Sequence, residues 1–307
     1  MPPPGQPEAD TIAGVNPRWL SINARLREVF AKDLFFIVGC PKSGTTWLQR
    51  MLNTHPQIVC RGEGKFGPLL LPLLKQALAT CNARQTAGPD MNYTDEQLEY
   101  LFITTIGLYL SNALRPRPEV RCVGEKTPEH ALLVPILAQL FPRAKFIQII
   151  RDARDGIVSG WFANLRRGRE FTDRFPDLPS YIAYYVNSHW IPYITTARSI
   201  AGTQPQRYFE LRYEDLHAEP EPWIRRLLTF LEVDATDEAV ARCRRDGSFE
   251  RLSGGRQPGQ EDPNSHFRKG IVGDWRNHFD QGCIETFMAH GGQMLRALGY
   301  EPCPAPA

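Results

Sequence analysis

Residues 35–47 read Phe-Phe-Ile-Val-Gly-Cys-Pro-Lys-Ser-Gly-Thr-Thr-Trp, and this stretch decides the fold. Its apolar residues end at Val38 and are typical of a buried strand, whereas Thr45–Leu52 has the periodicity of a helix. A strand, a tight loop and a helix N-terminus together bind anions, because unpaired backbone N–H groups and the positive end of the helix dipole face one point. The stretch therefore predicts an α/β fold with an anion-binding loop.

The loop resembles a P-loop but departs from the form found in nucleotide triphosphatases. In that form a lysine follows the second glycine directly and precedes Ser or Thr. Here Thr45 follows Gly44, and the lysine lies earlier, at Lys42. We expect Lys42 to reach the bridging oxygen of a bound anhydride, while the usual Mg²⁺-binding arrangement is not reproduced.

Two further segments extend the resemblance. Residues 145–159 read Lys-Phe-Ile-Gln-Ile-Ile-Arg-Asp-Ala-Arg-Asp-Gly-Ile-Val-Ser, and residues 267–279 read Phe-Arg-Lys-Gly-Ile-Val-Gly-Asp-Trp-Arg-Asn-His-Phe. Together with 35–47, and in the same order, they resemble the 5′-phosphosulfate loop, the 3′-phosphate motif and the Arg-Lys-Gly segment of sulfotransferases that use 3′-phosphoadenosine 5′-phosphosulfate (PAPS). The resemblance runs from about residue 33 to about residue 300.

The resemblance implies a P-loop-like three-layer α/β fold, with a central, mainly parallel sheet flanked by helices. It also implies sulfuryl transfer from PAPS, with adenosine 3′,5′-bisphosphate (PAP) as product and without a metal. The site residues that it implies fall into three groups. The 5′-phosphosulfate group comprises Lys42, Ser43, Gly44, Thr45, Thr46 and Trp47. The 3′-phosphate group comprises Arg151, Ser159, Arg268, Lys269 and Gly270. The aromatic residues at the adenine are Trp47, Tyr213 and Phe249.

The residues alone leave simpler roles open for each group. Ser and Thr at the start of a helix commonly cap it. Arg151 ends a buried strand, where a charged side chain must find an anion or reach water. Its guanidinium can bind two phosphate oxygens at once, or form a salt bridge with Asp152 or Asp155. A single aromatic residue is more often part of a core than a stacking surface.

The resemblance leaves the catalytic base open. Lys42 is expected to neutralise charge on the leaving phosphate, and a lysine comparable to Lys126 lies near the transferred sulfate in related subfamilies. Many cytosolic sulfotransferases have Lys-Thr-His where this chain has Lys-Thr-Pro-Glu-His, so Pro128 replaces their histidine. Three residues remain as alternatives: Glu63, which matches tyrosylprotein sulfotransferases, Glu125, which matches heparan-type enzymes, and His130.

Bulk properties restrict the class of protein. The formal net charge of +2 gives no indication of nucleic-acid binding, and the seven cysteines contain no C-x-x-C pair. Neither a signal peptide nor a membrane span is recognisable, so a cytoplasmic location is expected. A proline-rich N-terminal arm, residues 1–16, is expected to be disordered, and one domain is expected at 17–302, followed by a tail at 303–307.

Alternating strand and helix patterns support parallel βαβ units. Strands are predicted at 34–38, 121–124, 146–150 and 208–211. Helices are predicted at 17–30, 66–79, 94–113, 221–231, 237–245 and 281–298, and at 181–200 with an interruption at Pro192. Residues 254–265 are rich in Gly, Pro, Asn and Asp and are expected to form a loop that is mobile until ligand binds.

The sequence thus predicts a PAPS-dependent sulfotransferase that acts on a hydroxyl or amine of a small-molecule or glycan-like acceptor. The alternatives are a P-loop kinase that uses ATP and Mg²⁺, with Asp152 as metal ligand, and a non-catalytic nucleotide-binding protein. The acceptor is not identified, and the oligomeric state stays open, with a homodimer as one option.

Overall fold

A computed structural model describes residues 16–114, 117–166 and 168–301 of the chain. The predicted arm up to residue 15 and the tail at 303–307 lie outside the described residues. The strands are β1 Asp33–Val38, β2 Ile58–Arg61, β3 Cys122–Lys126, β4 Lys145–Ile150 and β5 Tyr208–Arg212. The helices are α1 Pro17–Phe30, α2 Thr45–Leu52, α3 Leu71–Ala83, α4 Asp95–Ser111, α5 Val134–Leu140, α6 Ala153–Leu165, α7 Arg169–Arg174, α8 Leu178–Tyr185, α9 Ile191–Arg198, α10 Tyr213–Ala218, α11 Pro220–Phe230, α12 Asp237–Asp246, α13 Phe249–Leu252 and α14 Gln281–Ala297.

The five strands form one parallel sheet in the order β2-β3-β1-β4-β5. Strand β1 is central, with Phe36 opposite Glu125 of β3 and Phe146 of β4. The predicted α/β architecture with a mainly parallel central sheet is therefore confirmed. Because parallel strands end at the same edge, the loops after β1, β3 and β4 meet there, which is where ligands bind in open α/β sheets.

The two faces of the sheet pack against different helices. Alternate side chains of β1 point to opposite faces, so Phe36 and Val38 join one apolar cluster and Phe35 and Ile37 join the other. The first cluster includes buried residues of α1, α4, α5, α6, α8, α9 and α14, and the second those of α2, α11 and α12. Among the described residues, no helix is long and apolar enough to cross a membrane.

Strand β2 was not predicted from the sequence. It has four residues, lies at the edge of the sheet and alternates between buried and half-buried positions. Such a short stretch shows little periodicity in its sequence. Its extended conformation is stabilised by pairing with β3. It carries the chain directly to Glu63.

The chain remains helical across Pro192, contrary to the predicted interruption. Helices α8 and α9 are joined by a π-helical turn, Val186–Trp190, and Pro192 occupies the second position of α9. A proline lacks an N–H and displaces the carbonyl one turn earlier. The wider turn accommodates both effects, as a π-bulge inside a longer helix does. Residues 254–265 form neither helix nor strand, in agreement with the predicted loop.

Arg154 connects the sheet edge to the C-terminal part of the chain. It is 2% exposed, and its Nε and Nη2 donate to Asp152 at 2.9 and 2.6 Å. Its guanidinium lies 4.0 Å from the ring of Trp275 and also donates to the carbonyl of Glu301. This buried pair holds the segment after β4 against the segment that contains Trp275.

Replacing Arg154 should destabilise the fold strongly. Arg154→Ala leaves the Asp152 carboxylate buried without its cation, which we expect to cost about 3–5 kcal/mol of unfolding free energy. Arg245→Ala is the matched control, because Arg245 pairs with Asp246 at 3.1 Å on the surface. It should cost about 1 kcal/mol or less. Urea unfolding that gives equal losses for the two variants would contradict this role.

Candidate functional site

The loop between β1 and α2 has the backbone of an anion-binding site. Gly44 precedes α2 at φ +100°, and within the described chain no side chain caps this helix. A Cβ at Gly44 would lie 2.6 Å from the Tyr213 ring, so only glycine fits without displacement. Lys42 also has a positive φ, +74°, which costs energy for a residue with a side chain. The first N–H groups of α2 are thereby left for a ligand.

The hydroxyl residues of this loop take different positions. Thr45 and Thr46 line the cavity in front of α2, together with Lys42, Gly44 and Trp47. Ser43 is 2% exposed and does not line the cavity; its N–H donates to the carbonyl of Cys40 at 3.0 Å. Its Oγ is shielded and has no hydrogen-bond partner among the described residues. None of the three hydroxyls caps α2, so the capping alternative is wrong here.

Arg151 lies where β4 ends, with its guanidinium on the wall of the same cavity. It stacks 4.3 Å from the Tyr213 ring and donates to the carbonyls of Lys42 and Ile271 over 3.4 and 3.2 Å. The nearest carboxylate oxygen of Asp155 is 3.7 Å away. Asp155 itself accepts from the N–H groups of Gly273 and Trp275. Arg151 therefore has only long or shared contacts, and its buried Nε has no partner within the described chain.

Asp152, the metal ligand of the kinase alternative, does not line this cavity. Its carboxylate binds Arg154 and accepts from the first turn of α6. Asp152 is therefore already engaged in a structural ion pair.

Arg268 and Lys269 complete this side of the cavity, beside Ser159. Both bind Asp274: Arg268 Nη2 contacts its Oδ2, and Lys269 Nζ lies 2.6 Å from its Oδ1. Arg268 also donates to Glu261 at 2.5 Å. The structure thus brings together the predicted 3′-phosphate residues, with Arg268 and Lys269 engaged by acidic side chains.

Gly270 is required by a close approach. Its φ is +65°, and an added Cβ would lie 2.3 Å from the Phe249 ring. The glycine therefore lets Phe249 pack directly against the segment that contains Arg268. Phe249 lines the cavity, and its predicted contact with the adenine requires this position.

Trp47 and Tyr213 are two aromatic residues that pack against each other on the cavity wall. The Trp47 ring lies 5.1 Å from the Tyr213 ring at 64°, and its Nε1 donates to the carbonyl of Gly247 at 2.8 Å. Tyr213 is buried, wedged between Gly44 and Arg151. Both residues line the cavity, and Tyr213 also supports Gly44 and Arg151.

Glu63 is the carboxylate that reaches the cavity from the β2 side. It lies 2.8 Å from Lys126 Nζ and 3.3 Å from Lys65 Nζ, and its side chain is 38% exposed. Although partial burial raises its pKa, the two lysines outweigh this and lower the pKa of Glu63. The carboxylate is therefore ionised and able to accept a proton at neutral pH.

Glu125 and His130 are both buried, next to the segment that follows Glu63. Glu125 is fully buried and accepts from the N–H of Gly64 at 2.7 Å and from the hydroxyl of Thr127 at 2.5 Å. His130 Nδ1 lies 2.9 Å from the other oxygen of Glu125, and its Nε2 accepts from Gly67 N–H at 3.2 Å. Neither residue lines the cavity. Their contacts are with the segment that follows Glu63, which they hold in place.

Glu129 and His266 are among the cavity residues that were not identified from the sequence. Glu129 lies between Pro128 and His130, in the segment already singled out for Lys126, and His266 directly precedes the Phe-Arg-Lys-Gly segment. Partial burial and then the positive charges of Lys42 and Lys126 lower the pKa of His266 to about 4. Both residues lie next to motifs that were recognised in the sequence, and this position was the signal that could have identified them.

One cavity of about 570 Å³ collects the anion loop, the cationic wall and Glu63. An uncapped helix N-terminus, cationic side chains and aromatic rings around one cavity, at the carboxyl edge of a parallel sheet, define a P-loop-like α/β protein. A family model described as "Sulfotransferase family" matches residues 35–237. The chain belongs to the sulfotransferase family.

Relatives of known sequence share this assignment. The chain is 29% identical over 215 residues to protein-tyrosine sulfotransferase 1 of Danio rerio, covering 69% of this chain and 57% of the relative. It is 28% identical over 304 residues to protein-tyrosine sulfotransferase 1 of Mus musculus, covering 98% of this chain and 77% of the relative. The chain thus spans little more than half of the zebrafish relative.

Solved structures support the fold. A mouse sulfotransferase in complex with PAP gives a TM-score of 0.54 at 19% identity, covering 89% of this chain and 92% of that one. The sulfotransferase domain of the olefin synthase from Synechococcus PCC 7002 gives 0.51 at 21% identity, covering 89% and 97%. At these identities the likeness concerns the fold.

The Asp274 contacts predict a specific response to acid. Burial raises the pKa of Asp274, but its bonds to Lys269 and Arg268 outweigh this and hold the pKa well below its usual range. A lowered pKa in the folded state gives stability that is present above the unfolded value, near 3.9, and is lost as the pH falls towards the folded value. Asp274→Asn should therefore lose on the order of 2 kcal/mol at pH 7 and show a shallower acid decline below about pH 5.

Chemical unfolding between neutral pH and about pH 3 measures this effect. Asp173→Asn, which removes an exposed carboxylate from α7, is the control and should change stability by less than about 0.5 kcal/mol. Parallel pH curves for wild type and Asp274→Asn would show that the contacts contribute nothing.

Proposed function

We propose that this protein transfers the sulfuryl group of PAPS to a hydroxyl group, and that a phenolic hydroxyl is the preferred acceptor. The observation that carries the proposal is one cavity lined by the loop at α2, by Trp47 and Tyr213, and by the group around Arg151. PAPS has an anionic group at each end of an adenosine. Such a ligand requires two anion sites with an aromatic surface between them.

The residues present fit this ligand at both ends. At the α2 end, the uncapped helix N-terminus and Gly44 leave room for a phosphate against backbone N–H groups. At the other end, the unpaired Nε and weak contacts of Arg151 leave donors for a second phosphate, next to the Ser159 hydroxyl. A phosphate there would compete with Glu261 for Arg268, since both are anions.

The proposed chemistry divides among three residues. PAPS supplies an activated sulfuryl group, whose bond to the phosphate oxygen breaks as a bond to the acceptor oxygen forms. Glu63 takes the proton of the acceptor hydroxyl, and its ionised state at neutral pH supports this role. Lys126 holds Glu63 in place at 2.8 Å, and Lys42 neutralises charge at the leaving phosphate.

The acceptor is the finer part of the proposal. The names of the relatives, protein-tyrosine sulfotransferases, support a phenolic hydroxyl. Small molecules and glycans, the acceptors expected from the sequence, are the alternatives to test. A screen with labelled PAPS should compare tyrosine peptides, simple phenols and oligosaccharides; transfer to oligosaccharides alone would contradict the phenolic preference.

Nucleotide selectivity tests the proposal without an acceptor. PAP at about a hundredfold over its Kd should add roughly 2.7 kcal/mol to the stability of the native state, and ATP with Mg²⁺ should add little. Arg151→Ala should weaken PAP binding by about 2–5 kcal/mol in calorimetry, because a buried phosphate would lose its charged partner. Arg245→Ala, on an exposed face of α12, is the control and should bind as wild type. Equal stabilisation by Mg-ATP would favour the kinase alternative.

Turnover of conservative variants identifies the base. Glu63→Gln preserves the shape of the side chain but cannot accept a proton, so turnover should fall about 10²–10⁴-fold while PAP still binds. Lys42→Ala should also reduce turnover more than PAP affinity. Glu125→Gln and His130→Ala should act through the position of the Gly64–Gly67 backbone and therefore change stability as well as rate. Near-normal turnover in Glu63→Gln, with a collapse in Glu125→Gln, would move the base to Glu125.

A further inference from the structure

Glu261 lies in a loop that folds back onto the segment containing Arg268. The N–H of Asp262 donates to the carbonyl of Arg268 at 2.9 Å. The guanidinium of Arg256 donates to the carbonyl of Gln260 and to that of Arg268, both at 3.0 Å. The residues on either side of Glu261 are therefore tied to the same segment, and the backbone of the loop holds Glu261 beside Arg268.

The Glu261 carboxylate pairs with both cations of the predicted 3′-phosphate group that belong to this segment. Its Oε1 accepts from Arg268 Nη1 at 2.5 Å, and its Oε2 lies 3.9 Å from Lys269 Nζ. Carboxylates and phosphates both accept charge-assisted hydrogen bonds from a guanidinium, so they compete for the same donors. Glu261 thus binds the groups that a 3′-phosphate would use.

Asp274 binds the same two cations but is held more firmly. It is 3% exposed and contacts Arg268 Nη2, Lys269 Nζ at 2.6 Å and the Asn277 amide at 3.1 Å. The Glu261 side chain is 36% exposed. Removing the cations from Asp274 would leave a buried carboxylate unpaired, whereas a partly exposed carboxylate such as Glu261 loses its partner at small cost. Of the two acidic residues, Glu261 is therefore the one that a phosphate can displace.

Glu261 affects the cavity through these two cations. Arg268 and Lys269 line the cavity, and Glu261 does not. Within the described chain Glu261 forms ion pairs with Arg268 and Lys269 alone. The other charged side chains on the cavity wall are those of Lys42, Glu63, Lys65, Glu129, Arg151, Asp155, Arg244 and Asp274. Any effect of Glu261 on an anion in the cavity is therefore expected to depend on Arg268.

We infer that Glu261 is an internal competitor of the 3′-phosphate, which pairs with Arg268 when no nucleotide is bound and returns to it as the product PAP leaves. The inference rests on the proposed use of PAPS. Asp274 keeps the two cations in place in both states, while Glu261 limits how tightly PAP is held. Glu261 is thus a residue that sets nucleotide affinity through Arg268, and it takes no part in the transfer itself.

Calorimetry with two nucleotides tests this role. Glu261→Gln preserves the shape of the side chain and removes its charge, so PAP should bind about fivefold tighter than to wild type, as expected for loss of a partly exposed ion pair. Adenosine 5′-monophosphate has no 3′-phosphate, and its affinity should stay within about twofold. Glu250→Gln removes the same charge from an exposed position in α13 and should bind PAP as wild type does.

A double-mutant cycle tests whether Glu261 acts through Arg268. Arg268→Ala should weaken PAP binding because the phosphate loses a charged partner. Adding Glu261→Gln to Arg268→Ala should change PAP affinity by less than about twofold, since the donor for which Glu261 competes is gone. A fivefold gain that persists in the Arg268→Ala background would contradict the inference.

The remaining outcomes are also decisive. PAP affinity that is unchanged or reduced in Glu261→Gln would overturn the inference, because the loop carboxylate would then not compete with the ligand. An equal gain for adenosine 5′-monophosphate would overturn it too, since that would reflect the loss of a negative charge in general. Wild-type protein that fails to bind PAP would refute the proposed function, and this result is distinct from normal PAP binding that Glu261→Gln leaves unchanged.

Discussion

The structure depends on a helix N-terminus that the protein leaves uncapped. Ser, Thr, Asn and Asp side chains commonly cap the start of a helix, and here α1, α4, α6, α8, α12, α13 and α14 have such a cap. Helix α2 does not, although Ser43, Thr45 and Thr46 lie at its start. Gly44 allows the turn, Tyr213 fills the space behind it, and Arg151 stacks on Tyr213. The two anion-binding regions are therefore joined by one contiguous set of contacts.

The buried group behind Glu63 extends this arrangement. Glu125 and His130 each engage a backbone N–H of the segment between Glu63 and the π-helical turn Phe66–Leu70. Glu125 Oε1 accepts from Gly64 N–H and from the Thr127 hydroxyl, so moving this segment would leave a buried polar atom unpaired. Residues that resemble catalytic bases in other subfamilies thus support Glu63 here. The roles of all three remain predictions until the variants are measured.

Much of the fold followed from local pattern. The apolar runs of β1 and β4 and the glycine-containing loop after β1 were readable because buried parallel strands have strong signals. Strand β2 was missed because four edge residues have little pattern of their own. The chain stays helical across Pro192 because of a π-helical turn. Such a turn depends on packing and is not visible in local sequence pattern.

The sequence predicted which residues belong to the site better than it predicted how they are arranged. The motifs identified Lys42, Arg151, Arg268 and Glu63, and all four line the cavity. Sequence could not show that Asp274 and Glu261 engage Arg268, since that pairing depends on how the segment folds back. Nor could it separate Glu129, on the wall, from the buried His130 next to it. Adjacent residues in a turn can face opposite environments.

A crystal structure with PAP tests the central claim most directly, namely that one ligand joins the two anion sites. The account predicts the 5′-phosphate against the backbone N–H groups at the start of α2, the adenine against Trp47, and the 3′-phosphate in contact with Arg151 and Ser159. It also predicts that Arg268 turns from Glu261 towards that phosphate. A nucleotide bound in the reverse direction, or with no phosphate at Arg151, would contradict it.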